Sequence, residues 1–339
     1  MDARNDWKNI EALPSKDDDG WSIWKTGHKT DMELPEVRSL VERWLPANPL
    51  LIGAPGAVKY LPPVLVSEFE DAALRVVRNN YRTMSLALVT CGIILLAVAA
   101  SRPASEVFTL GLLSFALGAA TATDYYFGLR TRDGLAERAL FFYWLKTDPS
   151  ARIGFLVWLA IALGVGALQL LLQWQLVGMD EVFHGFGTMY ADVRAGQYWR
   201  LLTGPYFHYS LLHYLNNAIL LLFAGTMASA LLGRSAFAMF VLGNTFTAIA
   251  QMMLGGNAFD NYGGISGGVY TLLGMLIAAG AGDRQLLAKG LWLLILNLTV
   301  LGMFASEALS GHSATAAHLS GLLFGGLVGV SCSSRERTN

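Results

Sequence analysis

GGISGGVYTLLGMLIAAG, residues 263–280, decides the class of fold. The stretch carries no charged residue, and glycines flank the Ile265-Ser266 pair on both sides. Glycines let a helix lie close to a neighbouring helix in a bilayer. A helix that begins here also offers free backbone N–H groups beside the Ser266 hydroxyl. The stretch therefore predicts a short membrane helix with a serine in its first turn, although helix packing alone would also explain these glycines.

The composition of the whole chain agrees with a membrane protein. The 339 residues are 54% hydrophobic and 14% charged, with a mean hydropathy of +0.44. Soluble domains carry about 25% charged residues. These values exclude a soluble globular enzyme, a disordered chain and a nucleic-acid-binding protein, and the net charge of −1 indicates no polyanionic partner. The two cysteines lie far apart in apolar segments and offer no disulfide framework.

Eight apolar stretches are each roughly long enough to cross a hydrocarbon core of about 30 Å. They cover residues 84–101, 107–128, 153–176, 209–232, 235–255, 264–281, 287–308 and 316–332. We therefore expect an all-α polytopic membrane protein. Its predicted parts are a polar cytoplasmic N-terminal region (1–83), a two-span hairpin (84–128), a cytoplasmic linker (129–152), a six-span block (153–332) and a cytoplasmic tail (333–339).

Within the polar region, Glu36–Trp44 is expected to be helical and Ser67–Asn80 to form an amphipathic helix. Asp124, at the end of the second span, is expected to be a solvated interface residue. The N-terminus has no apolar core typical of a signal peptide, so the first span is interpreted as uncleaved.

The basic residues predict the orientation of the chain. With the N-terminus inside, 21 of the 24 lysines and arginines fall in inside segments. This predicts that both termini are cytoplasmic and that the polar groups at the starts of the later spans lie near the outer face. The absence of a transit peptide and this topology favour a bacterial cytoplasmic membrane.

Two further segments place polar side chains at the start of a span, where each is a candidate site residue. YFHYSLLHYLNN, residues 206–217, puts His213 and Asn217 on one helical face, while His208 points elsewhere. ATAAHLSGLLFGG, residues 314–326, puts His318 on one face with two glycines, so that this helix can approach a neighbour closely.

Together these residues have the composition of a serine hydrolase active site that lacks a carboxylate. Ser266 is the candidate nucleophile and His318 the general base. His213, Asn217 and backbone N–H groups would stabilise an oxyanion, and Tyr270, one turn after Ser266, could orient the imidazole. No cofactor is implied. A metal site from His208, His213, His312 and His318 is disfavoured, because no helix carries the His-x-x-x-His pattern with a glutamate.

The three segments, preceded by Trp199-Arg200, resemble the motifs of the rhomboid family of intramembrane serine proteases in order and spacing. The resemblance covers residues 153–332 and implies a six-helix rhomboid core preceded by two extra transmembrane helices. It implies a Ser266–His318 dyad and an oxyanion hole from His213 and Asn217. The supporting residues that it implies are Tyr270, Gly264, Gly267, His208, Trp199 and Arg200.

The resemblance also implies a substrate class, single-span membrane proteins cut in or near a transmembrane helix, and the lipid bilayer as the surroundings. The alternative is a catalytically silent rhomboid-like protein that binds membrane clients. The presence of both Ser266 and His318 disfavours it. A transporter is disfavoured because the polar groups cluster at the ends of spans rather than at the bilayer midplane. The role of residues 1–152, the oligomeric state and the substrate's identity are left open.

Overall fold

The computed structural model describes residues 7–25, 27–101, 105–176, 178–255, 260–283, 286–310 and 314–335, with only the backbone described at 105–106, 305–310 and 331–335. Two compact units can be distinguished. The first comprises Met1–Asp148 and Asp283–Ala305, and the second comprises Pro149–Gly282 and Ser306–Asn339. The domain boundaries expected from the sequence remain predictions.

The first unit begins with a small sheet on a helix. Its elements are β1 (Ser22–Lys25), β2 (His28–Asp31), α1 (Leu34–Val41) and β3 (Leu50–Gly53). The sheet is antiparallel with the order β2-β1-β3, and Ser22 pairs with Asp31 on one side and Gly53 on the other. Ile23, Trp44 and Ile52 are buried in its core. The helix expected at Glu36–Trp44 is present, but it begins and ends earlier. The sheet was not predicted from the sequence.

A helical hairpin and a further helix complete this part of the chain. They are α2 (Glu70–Ser101), α3 (Ser105–Asp124), a π-helical turn (Tyr125–Leu129) and α4 (Arg132–Thr147). Small residues set the spacing of α2 and α3, because a Cβ at Gly92 would lie 2.7 Å from the backbone nitrogen of Phe115. The amphipathic helix expected at Ser67–Asn80 forms the first turns of the long α2.

Asp124 is not the solvated residue that the sequence suggested. Its side chain is 2% exposed and lies 2.8 Å from the guanidinium of Arg138, itself 3% exposed. Arg138 also donates to the carbonyl of Lys289, which is in the same unit. Because a charge buried without a partner is costly, the buried Asp124 carboxylate requires such a pair.

The second unit carries most of the apolar helices. Its elements are α5 (Pro149–Leu176), α6 (Met179–Phe186), β4 (Thr188–Met189), α7 (Tyr190–Arg194), α8 (Arg200–Thr203), α9 (Leu211–Leu232), α10 (Ser235–Leu254), β5 (Asn261–Tyr262) and α11 (Ser266–Gly282). Next come α12 (Leu291–Ser310), most of which groups with the first unit, and α13 (Thr315–Arg335). The short strands β4 and β5 pair antiparallel.

The predicted helical membrane fold is confirmed, since each of the eight predicted stretches coincides with a helix. Among the described residues, five helices are long and apolar enough to cross a membrane: Glu70–Ser101, Val107–Leu129, Pro149–Leu176, Leu211–Leu232 and Ser235–Leu254. Three shorter apolar helices are Ser266–Gly282, Leu291–Phe304 and Thr315–Val330.

Helix α11 lies at the centre of the second unit, and every residue from Ser266 to Leu276 is buried. Helix α13 packs on it through glycines. A Cβ at Gly321 would lie 2.6 Å from the carbonyl oxygen of Gly267, and one at Gly325 would collide with the carbonyl oxygen of Thr271. The two backbones are therefore in contact along this face.

The Gly325→Ala variant should unfold at a lower temperature than the unmodified protein. The added methyl group must push α13 away from α11, and overpacking of this kind costs about 1–3 kcal/mol. The measurement is thermal unfolding in detergent, followed by circular dichroism. Gly326→Ala is the matched control, because a Cβ at the adjacent Gly326 meets nothing within 4 Å. Equal midpoints for the two variants would contradict the packing described here.

Candidate active site

Ser266 and His318 form a hydrogen-bonded pair at the starts of α11 and α13. The distance from Ser266 Oγ to His318 Nε2 is 2.9 Å, and both residues are buried. Ser266 is the first residue of α11, so backbone N–H groups of the opening turn lie beside its hydroxyl. The pair has the geometry that a nucleophile and its general base require.

Tyr270 fixes the plane of the imidazole. Its ring stacks on that of His318 with a centroid distance of 4.4 Å and an interplanar angle of 22°. Tyr270 lies one turn after Ser266 on α11, so the same helix supplies both the hydroxyl and the stacking surface. The stack restrains the imidazole, a role that a carboxylate has in a Ser-His-Asp triad.

His213 and Asn217 lie against the backbone just before Ser266. Gly264 has a φ of +108°, and a Cβ there would be 2.9 Å from His213 Nε2 and 3.4 Å from Asn217 Nδ2. Asn217 Nδ2 is buried, and no described group accepts a hydrogen bond from it. A buried donor without a partner is costly. The arrangement therefore leaves the amide N–H groups of Asn217 near Ser266 free to donate to another group.

His208 is buried behind this group. Its backbone N–H donates to Gln169 Oε1 and its carbonyl accepts from Gln169 Nε2, each at 3.0 Å. Its Nε2 is 3.4 Å from the backbone nitrogen of Ile265, so it is placed to accept from that N–H. Burial, with a smaller contribution from His213, lowers the pKa of His208 to about 3. The ring is thus neutral at physiological pH and supports the segment that leads into Ser266.

The other three motif residues lie in supporting positions. Gly267 has no space for a side chain, because a Cβ would collide with Thr247. The buried Arg200 donates to the carbonyls of Gly187 and His184, and so ties the preceding segment together. Trp199 is 44% exposed, with the Arg200 guanidinium 4.8 Å from its ring centroid.

Helix α10 carries a polar face that was not predicted from the sequence. Asn244 Oδ1 accepts from the backbone N–H of Gly268 at 2.8 Å, and Gln251 Oε1 accepts from that of Ala317 at 2.9 Å. These bonds hold the first turns of α11 and α13, immediately after Ser266 and before His318. A signal was available, because two buried amides seven residues apart inside an apolar span are unusual.

Among the described residues, no group of three or more His, Cys, Asp and Glu side chains could hold a metal ion. His312, a member of the disfavoured metal set, lies outside the described residues.

Part of the chain is similar to a known protein family. Residues 195–335 match the model of the Rhomboid domain. The chain is 31% identical over 171 residues to the rhomboid protease GlpG of Serratia proteamaculans, covering 49% of this chain and 60% of that protein. It is 28% identical over 215 residues to rhomboid protease GlpG of Photorhabdus laumondii, with coverage of 59% and 74%. With rhomboid protease GlpG of Yersinia pestis the values are 33% over 133 residues, with coverage of 38% and 46%.

The chain is thus a multi-pass membrane protein, and its residues 195–335 are similar to the Rhomboid domain. It spans less than two thirds of the Serratia and Yersinia relatives. Residues 199–318 of the candidate site lie inside the matched segment, whereas Gln169, which supports His208, and His184 and Gly187, which accept from Arg200, precede it.

Proposed function

We propose that this protein is an intramembrane serine endopeptidase in which Ser266 is the nucleophile and His318 the general base. The observation that carries the proposal is the 2.9 Å separation of Ser266 Oγ and His318 Nε2 in a buried site. The curated relatives, whose printed names describe them as rhomboid proteases, support the same reaction class.

The reaction follows from this pair. Ser266 Oγ attacks the scissile carbonyl carbon while His318 Nε2 takes the hydroxyl proton. The tetrahedral intermediate then collapses, and His318 returns the proton to the departing amine. An acyl-enzyme on Ser266 remains. In the second half of the reaction water attacks the acyl carbon and gives a proton to His318. The bond to Ser266 Oγ then breaks, His318 returns the proton to that oxygen, and the new carboxyl end is released.

The oxyanion would be stabilised by His213, Asn217 and the backbone N–H groups at the start of α11. The unpartnered Asn217 Nδ2, at 3.4 Å from the Cβ position of Gly264, supports this assignment. A preorganised donor gains strength in a water-poor site, because it need not reorient during the reaction. The positive φ of Gly264 lets its backbone pass close to these two side chains.

The substrates would be membrane proteins with a single transmembrane segment. A helix hides its peptide carbonyls in hydrogen bonds, so the cleaved segment must unwind near the cleavage site. Small, helix-weakening residues near the end of a span satisfy this requirement. We also propose that both termini are cytoplasmic, in a bacterial inner membrane, and that the site lies near the outer face, since 21 of the 24 basic residues then lie inside.

Replacing either member of the dyad should abolish proteolysis. The protein, reconstituted in lipid vesicles, is mixed with a single-span substrate carrying small residues near its outer end, and products are separated on a gel. We expect cleavage by the unmodified protein and none by Ser266→Ala or His318→Ala. Ser320→Ala is the control and should cleave normally, because among the described residues the Ser320 hydroxyl bonds only to the carbonyl of Ala317.

Full activity of the Ser266→Ala variant would contradict the proposed mechanism. If neither the unmodified protein nor any variant cleaves the substrate, but all of them still bind it, the result would favour the alternative, a catalytically silent protein that binds membrane clients.

Asn217→Ala should lower kcat by about 10²–10³-fold with little change in KM, because the amide acts on charge that develops in the transition state. Steady-state cleavage of a fluorogenic membrane substrate measures both constants. The neighbouring Asn216 is exposed and provides the matched control. Asn216→Ala should keep both constants, and an equal loss in both variants would remove Asn217 from the proposed oxyanion hole.

A further inference from the structure

A pocket of about 470 Å³ lies in the first unit, at the end of the α2–α3 hairpin. It is lined by Asp71, Leu74, Arg75, Arg78, Tyr125 and Arg130. Three arginines thus face one carboxylate, which leaves the lining with an excess of two positive charges. We propose that this pocket binds the phosphate of an anionic membrane lipid.

The arginines are available to a ligand. Arg75, Arg78 and Arg130 are exposed, and within the described residues none of them forms an ion pair. The nearby Arg132 is different, since it pairs with Glu70 at 3.3 Å. An unpaired guanidinium carries several donors in a fixed fork that matches a phosphate group.

The pocket is held by ordered structure rather than by free side chains. Arg75 and Arg78 are three residues apart on α2, so they lie on one helical face. The π-helical turn Tyr125–Leu129 brings Tyr125 to the same place, and its ring packs 6.3 Å from that of Tyr81. Arg130 lies with its guanidinium carbon 4.5 Å from the ring centroid of Tyr126. This contact restrains the Arg130 side chain.

The position along the chain favours a lipid over a free anion. The apolar part of α2 begins at residue 84, and at 1.5 Å per residue Arg78 precedes it by about 9 Å along the helix. The headgroup layer is about 5–8 Å deep, so Arg78 lies at the outer edge of this layer. Basic pockets at the ends of membrane helices are suited to anionic headgroups. Leu74 and Tyr125 add apolar surface for the glycerol region.

The test measures lipid binding by the full-length protein in neutral detergent. Fluorescently labelled phosphatidylglycerol is titrated against the unmodified protein, and labelled phosphatidylcholine is the neutral comparison. We expect tighter binding of phosphatidylglycerol. The double variant Arg75→Gln/Arg78→Gln should weaken its apparent affinity about 30-fold, which corresponds to the loss of two basic residues near the headgroup.

A double variant with the same charge change is the matched control. Arg38 and Arg43 are exposed arginines in the first unit outside the pocket, and Arg38→Gln/Arg43→Gln should change the affinity less than twofold. If the first double variant fails to fold by circular dichroism, the exposed single variant Arg130→Gln replaces it, with the expected loss reduced to about fivefold.

Three results would overturn the proposal. The first is unchanged affinity in the pocket variants, and the second is an equal loss in both double variants, which would reflect net charge alone. The third is complete displacement of the lipid by millimolar inorganic phosphate, which would assign the pocket to a free anion. The proposal that the pocket binds a lipid is supported if the unmodified protein still binds phosphatidylglycerol in the presence of inorganic phosphate and only the pocket variants lose this binding.

Discussion

The close approach of α13 to α11 is the contact on which the candidate site depends. Ser266 and His318 belong to different helices, so their 2.9 Å hydrogen bond exists only if the two backbones nearly touch. Glycines at positions 321 and 325 permit this approach, since a side chain at either would meet the backbone of α11. In lipid there is no hydrophobic force to press helices together, so packing of small residues becomes a principal source of association.

Hydrogen bonds to side chains of α10 then fix the first turns of α11 and α13, the two helices that the glycines bring together. Asn244 and Gln251 accept from the first turns of α11 and α13, where backbone N–H groups have no partner within their own helix. Tyr270 adds the stacking contact that sets the imidazole plane. These contacts hold the His318 imidazole in place without a carboxylate.

Much of this arrangement could be predicted from the sequence. Apolar length located the helices, and the spacing of His213 from Asn217 and of His318 from its glycines placed each set on one face. These are local properties of a helix with 3.6 residues per turn. The pairing of Ser266 on α11 with His318 on α13 was inferred from the chemistry of the two side chains and from the family resemblance, because nothing local relates residue 266 to residue 318.

The sheet, the Asp124 ion pair and the hydrogen bonds of α10 could not be predicted, because local sequence patterns do not reveal contacts between residues far apart in the chain. The β1–β3 pairing joins four-residue strands separated by a helix, and short strands carry little periodicity. Asp124 resembled a solvated helix end, because its partner Arg138 is fourteen residues away on another helix. Asn244 and Gln251 were overlooked because the apolar sequence around them dominates the reading of the span.

Labelling with a fluorophosphonate probe reports on the proposed nucleophile Ser266 without requiring a substrate. The probe reacts with a serine only when a base activates it. We expect mass spectrometry to find the adduct on Ser266 of the folded protein, and we expect no labelling of a His318→Ala variant that has the same unfolding midpoint. Equal labelling of the unmodified protein and of His318→Ala would contradict this expectation.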